Sequence, residues 1–226
     1  MSVAARVAGV RARIADAATR AGRRAEDVRL VAVSKTFPPA AILDAIGAGV
    51  TDLGENRAQE LSSKAAAIGE RARWHFVGHL QTNKVRTVVG VAALIHSVDR
   101  LEVAEAIARR ARSAGTTQDV LVEVNVSGEA SKHGVDPEGA LALARAVAAL
   151  EGLRVRGLMT MPPYPEVAEA SRPYYRELAR LGAELAPHLR AAEELSMGMT
   201  RDFEVAIEEG ATIVRVGEAI FGARPS

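Results

Sequence analysis

Eight short apolar runs, each separated from the next by a segment of helical spacing, leave this chain few folds to choose from. The runs fall at 29–34, 50–53, 74–77, 93–97, 119–126, 153–159, 193–197 and 212–216. Most are rich in Val, Ile or Leu, as strands buried on both faces are. Between them Ala, Leu, Arg and Glu recur at helical spacing over 39–48, 55–68, 81–89, 100–113, 137–150, 166–186 and 201–209. Residues 3–21 predict one more helix, ahead of the first strand. Asp136-Pro137 and Asp99 read as helix starts, with Pro137 at the first helical position. Eight such alternations in 226 residues predict an α/β fold, a single (β/α)8 TIM barrel with an extra N-terminal helix. An open doubly wound sheet is the alternative. The second and seventh strands are the weakest of the set. No internal repeat, low-complexity tract or long Gly/Ser/Pro linker divides the chain, so residues 1–226 read as one domain.

Charge and composition remove several classes of function. The formal net charge is +1 with acids and bases interspersed, which leaves no electrostatic footprint for nucleic acid. The run Arg109-Arg110-Ala111-Arg112 reads as a solvated helix face. The absence of cysteine excludes disulfide and thiolate chemistry and suits a reducing compartment. No apolar stretch approaches the roughly 20 residues of a membrane span. Residues 2–21 are amphipathic and Arg/Ala-rich, unlike a signal peptide. A cytoplasmic monomer is expected, with neither a membrane nor a nucleic-acid partner.

In a barrel, function collects at the C-terminal ends of the strands. The first strand ends Val31-Ala32-Val33-Ser34-Lys35, followed by Thr36-Phe37-Pro38-Pro39. This delivers an amine to a loop mouth. Among 29 basic residues only four are lysines (Lys35, Lys64, Lys84 and Lys132). An arginine could not replace Lys35 in attacking an aldehyde, because that needs a primary amine that loses its proton. A snorkelling lysine at a strand end is the bland alternative.

The last two strand ends read as a phosphate cradle. Ser196 and Thr200 offer hydroxyls. Gly198 and Gly217 allow close backbone approach. Helices starting after Thr200 and after Gly217 would aim free N–H groups at an anion. The plainer alternative is an N-cap at Thr200 and a turn glycine at Gly217. An amine beside a phosphate cradle suits pyridoxal 5'-phosphate, which needs an amine for its aldehyde, an anion site and a partner for its pyridine nitrogen.

Ala32-Val33-Ser34-Lys35, Gly54-Glu55-Asn56, the run from Trp74 through His79-Leu80-Gln81-Thr82-Asn83 to Lys84, Gly157-Leu158-Met159-Thr160-Met161, Leu195-Ser196-Met197-Gly198-Met199-Thr200 and the run from Val214 to Gly222 together resemble the pyridoxal-phosphate homeostasis proteins. The match runs in order from about residue 3 to residue 224. The resemblance implies a barrel similar to the N-terminal domain of alanine racemase. It implies an internal aldimine on Lys35. It implies that Ser196, Gly198 and Thr200, with the main-chain N–H groups of Gly217 and Glu218, hold the phosphate. Arg215 would face the pyridine nitrogen and Asn56 would line the pocket. Two positions depart from the family's usual pattern. Thr200 stands where the family often has Ser, which keeps a hydroxyl. Glu218 stands where it often has Thr, so only its main chain is expected to touch phosphate.

The implied function is a carrier that holds the cofactor for homeostasis and passes it to apo-enzymes, without robust catalysis. Two alternatives stand beside it: a cofactor-dependent racemase or lyase, and a Schiff-base aldolase on a sugar phosphate. Of the tyrosines Tyr164, Tyr174 and Tyr175, Tyr164 is near the mouth but reads as a solvated loop residue. Lys132 is the second candidate amine, or a charge that steers phosphate; Lys84 falls in a helical turn. His79 reads as a residue at the mouth. His75 and His79 are four apart, but His75 falls in a strand and no HExxH pattern is present, so no metal site is expected.

Overall fold

Eight parallel strands close on themselves in chain order, β1 pairing with both β2 and β8. The computed structural model describes residues 1–189 and 192–223. Residue 224, where the family resemblance ends, lies outside the described residues. The strands are β1 (Arg29–Val33), β2 (Asp52–Glu55), β3 (Arg73–Phe76), β4 (Leu94–Val98), β5 (Gln118–Glu123), β6 (Leu153–Met159), β7 (Glu194–Ser196) and β8 (Ile213–Val216). The helices are α1 (Val3–Arg20), α2 (Pro39–Gly47), α3 (Ala58–Ile68), α4 (Val85–Val88), α5 (Leu101–Ser113), α6 (Pro137–Ala148), α7 (Arg172–Leu185), α8 (Phe203–Glu208) and α9 (Glu218–Phe221). This is the expected (β/α)8 barrel with its extra helix. No helix among the described residues is long and apolar enough to cross a membrane.

Helix α1 exists because Val7, Val10, Ile14, Ala17 and Ala18 fall on one face and are all buried. Ser2 caps it, its hydroxyl accepting from the Ala5 N–H at 3.2 Å. The helix packs against α8, α9 and α2, covering the barrel where α8 and α9 are only a turn or two long. Pro137 starts α6 with Asp136 as N-cap, as expected. Asp99 does not start α5. Arg100 is the N-cap, and Asp99 is drawn into side-chain contacts instead.

Local differences follow from partners distant in sequence. The second strand lies at Asp52–Glu55, two residues later than the apolar run suggested. The segment 81–89 forms a 3-10 turn (Thr82–Lys84) and a single turn of α-helix rather than one continuous helix.

The barrel interior has two kinds of layer. Val31, Leu94, Leu121, Met159 and Ile213 form an apolar plug separate from the core between strands and helices. Side chains on a strand repeat their face every second residue. Val33, two on from Val31, and Arg215, two on from Ile213, therefore face the same interior nearer the mouth. His96, two on from Leu94, is likewise inward and fully buried.

Candidate functional site

A cavity of about 330 Å³ opens at the C-terminal end of the barrel. Its lining includes Val33, Lys35, Phe37, Asn56, Val77, Met161, Tyr164, Met199, Thr200, Arg215, Gly217 and Glu218. Six of the eight expected site residues thus meet at one cavity. Ser196 and Gly198 do not line it.

Lys35 sits in the turn directly after β1, half-buried. The next residue, Thr36, has φ +69°, the only positive value at a non-glycine among the described residues. For a β-branched residue this costs on the order of 1–3 kcal/mol, so surrounding bonds must hold it. They are present. The Phe37 N–H donates to the Ser34 carbonyl at 3.0 Å, and the Thr36 N–H donates to Glu60 Oε2 at 3.0 Å. Beneath the turn, Lys64 Nζ donates to the Ser34 carbonyl at 2.8 Å, to Glu55 Oε1 at 2.8 Å and to Glu60 Oε2 at 3.0 Å. The Ser34 hydroxyl donates to the same Glu55 oxygen at 2.6 Å. Burial pushes the Glu55 carboxyl up, and Lys64 and Ser34 oppose that without cancelling it.

Arg215 is held from behind by a buried chain of hydrogen bonds. A guanidinium only donates. Its Nη1 donates to Ser196 Oγ at 2.6 Å and its Nη2 to the Thr160 carbonyl at 2.9 Å. The Ser196 hydroxyl is then left to donate to His96 Nδ1 at 2.8 Å. His96 Nε2 donates to His75 Nδ1 at 2.9 Å, and His75 Nε2 donates to Asp52 Oδ1 at 2.9 Å. Both tautomers are assigned from the donor-only and acceptor-only ends of this chain. Burial lowers both imidazoles from their ordinary range, His96 well below it, which keeps them neutral. Burial alone would raise Asp52, but bonds from His75 and Thr51 outweigh it and hold its carboxyl low.

This chain gives Ser196 a structural role besides the phosphate contact expected of it. Its side chain is 0% exposed, and its hydroxyl serves Arg215 and His96, so it braces the guanidinium from inside the barrel. Gly198 likewise has a packing role. It has φ +90°, and a Cβ there would stand 2.6 Å from Ala206 Cβ and 2.9 Å from Phe203 Cα. The missing side chain lets α8 pack against the loop. His75, His96 and Lys64 were missed altogether. Polar residues at inward-facing strand positions, such as His75 two before Val77, were the signal that would have exposed the histidines.

Thr200 and Gly217 border the cavity as expected, and the Ala219 N–H points to Thr200 Oγ1 at 3.4 Å. A Cβ on Gly217 would stand 3.1 Å from the Val33 carbonyl, tighter than ordinary contact. Asn56 Oδ1 is buried with no hydrogen-bond partner. Tyr164 is the exposed loop residue expected, and it also borders the mouth. It lines the cavity, 58% exposed, with the Arg201 guanidinium 4.3 Å from its ring. Lys132 and Lys84 are half-buried and do not line the cavity.

Residues 8–225 match the family model described as alanine racemase, N-terminal domain. A pyridoxal phosphate homeostasis protein of Aquifex aeolicus is 47% identical over 99% of this chain and 99% of its own length. A protein of Bifidobacterium adolescentis described as unknown superposes with TM-score 0.92 at 41% identity, covering 96% of this chain and 94% of that one. PipY of Synechococcus elongatus, solved with PLP bound, superposes with TM-score 0.84 at 34% identity, covering 98% of this chain and 100% of that one.

Proposed function

This chain belongs to the family of pyridoxal phosphate homeostasis proteins, built on the alanine racemase N-terminal domain, and we propose that it holds pyridoxal 5'-phosphate on Lys35 and keeps it available in the cytoplasm for enzymes that lack it. The observation carrying this reading is the meeting at one cavity of a primary amine, Lys35, and a braced guanidinium, Arg215. The residues present fit the group. Asn56 Oδ1 is an orphaned buried acceptor, a Cβ on Gly217 would crowd the Val33 carbonyl, and the cavity falls in the range that takes small cofactors.

When bound, the cofactor supplies an aldehyde that condenses reversibly with a primary amine and releases water. Lys35 provides that amine from a turn fixed from beneath. Thr200 provides a hydroxyl for the phosphate. The main-chain N–H groups of Gly217 and Glu218 lie at the start of α9, where helical N–H groups have no intrahelical acceptor. Arg215 is the partner for the pyridine nitrogen. Its positive charge disfavours a proton there, which weakens the ring as an electron sink. That favours storage over turnover. A racemase or lyase would also need a proton-carrying side chain held over the mouth, and Tyr164 is mostly exposed.

Titration of purified protein with pyridoxal phosphate tests the reading. A visible absorbance band that Lys35→Ala abolishes, with the loaded protein restoring an apo-enzyme, is the expected result. No band in the wild type, or amino-acid turnover at enzymatic rates, would overturn it.

A further inference from the structure

His79, Asp99 and His133 bring two imidazoles and a carboxylate together beside the mouth, from three successive strand-to-helix connections. His79 lies three residues after β3, Asp99 directly after β4, and His133 between β5 and α6. One ligating atom from each lies within 4.8 Å of the other two. The two imidazoles are stacked, centroids 3.8 Å apart and planes 16° apart, so the exposed His133 ring must turn out of the stack before both rings can aim a nitrogen at one ion.

Hydrogen bonding does not account for the arrangement. His79 Nδ1 is buried without a hydrogen-bond partner, although Asp99 Oδ2 is only 3.4 Å away. That pair is close but lacks hydrogen-bond geometry. Two ligand atoms each about 2.1 Å from a tetrahedral ion stand about 3.4 Å apart. The separation matches that of two ligands sharing an ion.

Asp99 and the main chain around His133 are also held in place. Arg100 Nη1 bonds Asp99 Oδ1 at 2.7 Å, which leaves Oδ2 directed at His79. The chain around His133 is pinned to the end of β5. The Val135 N–H donates to the Glu123 carbonyl and the Asn125 N–H to the Val135 carbonyl, both at 2.9 Å. Gly134, at φ +116°, allows this approach, since a Cβ there would stand 2.5 Å from Asn125 N.

We propose that His79, Asp99 and His133 form a binding site for a divalent transition cation of the zinc class, with at least one coordination position left for water or another ligand. Imidazole and carboxylate together suit such an ion, and three protein ligands leave a fourth position open. The site does not include Lys35 or Arg215, and it stands whether or not the cofactor reading does.

Calorimetric titration of Zn²⁺ into full-length, untagged protein, dialysed against chelator and free of pyridoxal phosphate, tests it. Co²⁺ in parallel reports coordination through its visible bands. One equivalent is expected to bind. His133→Ala and Asp99→Asn should each weaken binding at least about 100-fold, the upper end of what an outer-shell partner is worth. His188→Ala, at an exposed histidine elsewhere, should leave it unchanged. His133 is exposed, so its replacement should keep the thermal transition, and circular dichroism checks this. Binding by wild type no tighter than by the His79→Ala/His133→Ala double variant would overturn the site, as would loss that follows His188→Ala.

Discussion

Lys64 Nζ donates to the main-chain carbonyl of Ser34 at 2.8 Å, one residue before Lys35. A buried lysine on α3 thus fixes the turn that presents the amine at the mouth. The same nitrogen neutralises Glu55, whose side chain is 0% exposed.

Removing Lys64 should therefore act on both stability and the site. Lys64→Met leaves Glu55 buried and unpaired, at a cost of about 3 kcal/mol or more. It also leaves the Ser34 carbonyl held by the Phe37 N–H alone, so cofactor uptake should weaken about tenfold, the effect of roughly 1.4 kcal/mol. The double variant Lys64→Met/Glu55→Gln should regain part of the stability, because no buried charge is left alone. Urea denaturation of the three proteins decides. Equal midpoints for wild type and Lys64→Met would contradict the clamp.

Ser196 and Thr200 should separate cleanly. Ser196→Ala strands a donor on Arg215 and an acceptor on His96 inside the barrel, which costs about 1–3 kcal/mol of stability. Thr200→Val, at the half-buried cavity edge, should leave stability nearly unchanged and weaken the response to pyridoxal phosphate. Melting curves with and without cofactor measure both. The reverse pattern would return Ser196 to the phosphate.

The eight strands and the mouth residues were legible because period and residue type are local properties. Lys35 and Gly217 follow closely on the apolar runs of β1 and β8, and Arg215 is the one charge inside the second of these. What was not legible depends on distant partners. Asp52 and Glu55 do not look like a buried strand until His75 and Lys64 are placed beside them, so β2 slid by two residues. Ser196 reads as a mouth hydroxyl, and its bonds to Arg215 and His96 show only once the barrel's alternation turns it inward. The stacked pair of His79 and His133, 54 positions apart in the chain, has no local signature at all.

Glu123 gives a pH signature. Burial, with Asp99 nearby, pushes its carboxyl up from 4.5 to about 7, and Arg215 only partly opposes this. A carboxyl that ionises later when folded holds more protons in the native state than in the unfolded one. Its contribution is thus fully present below about 4.5 and is lost as pH rises through about 7. The span is worth at most about 3 kcal/mol. Against wild type, Glu123→Gln should hold its stability over this window in cofactor-free protein. Parallel pH profiles for the two would contradict the placement.

Gly198→Ala tests the packing behind the cradle. Its φ of +90° and a Cβ 2.6 Å from Ala206 make the substitution both strained and crowded. A loss of about 2 kcal/mol or more is expected from the strain and the overpacking together. Thermal unfolding measures it, and an unchanged midpoint would mean that α8 is free to shift.

The central claim is that Lys35 carries the cofactor. Borohydride reduction of the protein loaded with pyridoxal phosphate, followed by peptide mapping of the labelled lysine, tests it most directly. Label on Lys35, absent from Lys35→Ala, is the expected result. Label on Lys132 or Lys84 instead, or no label at all, would contradict it.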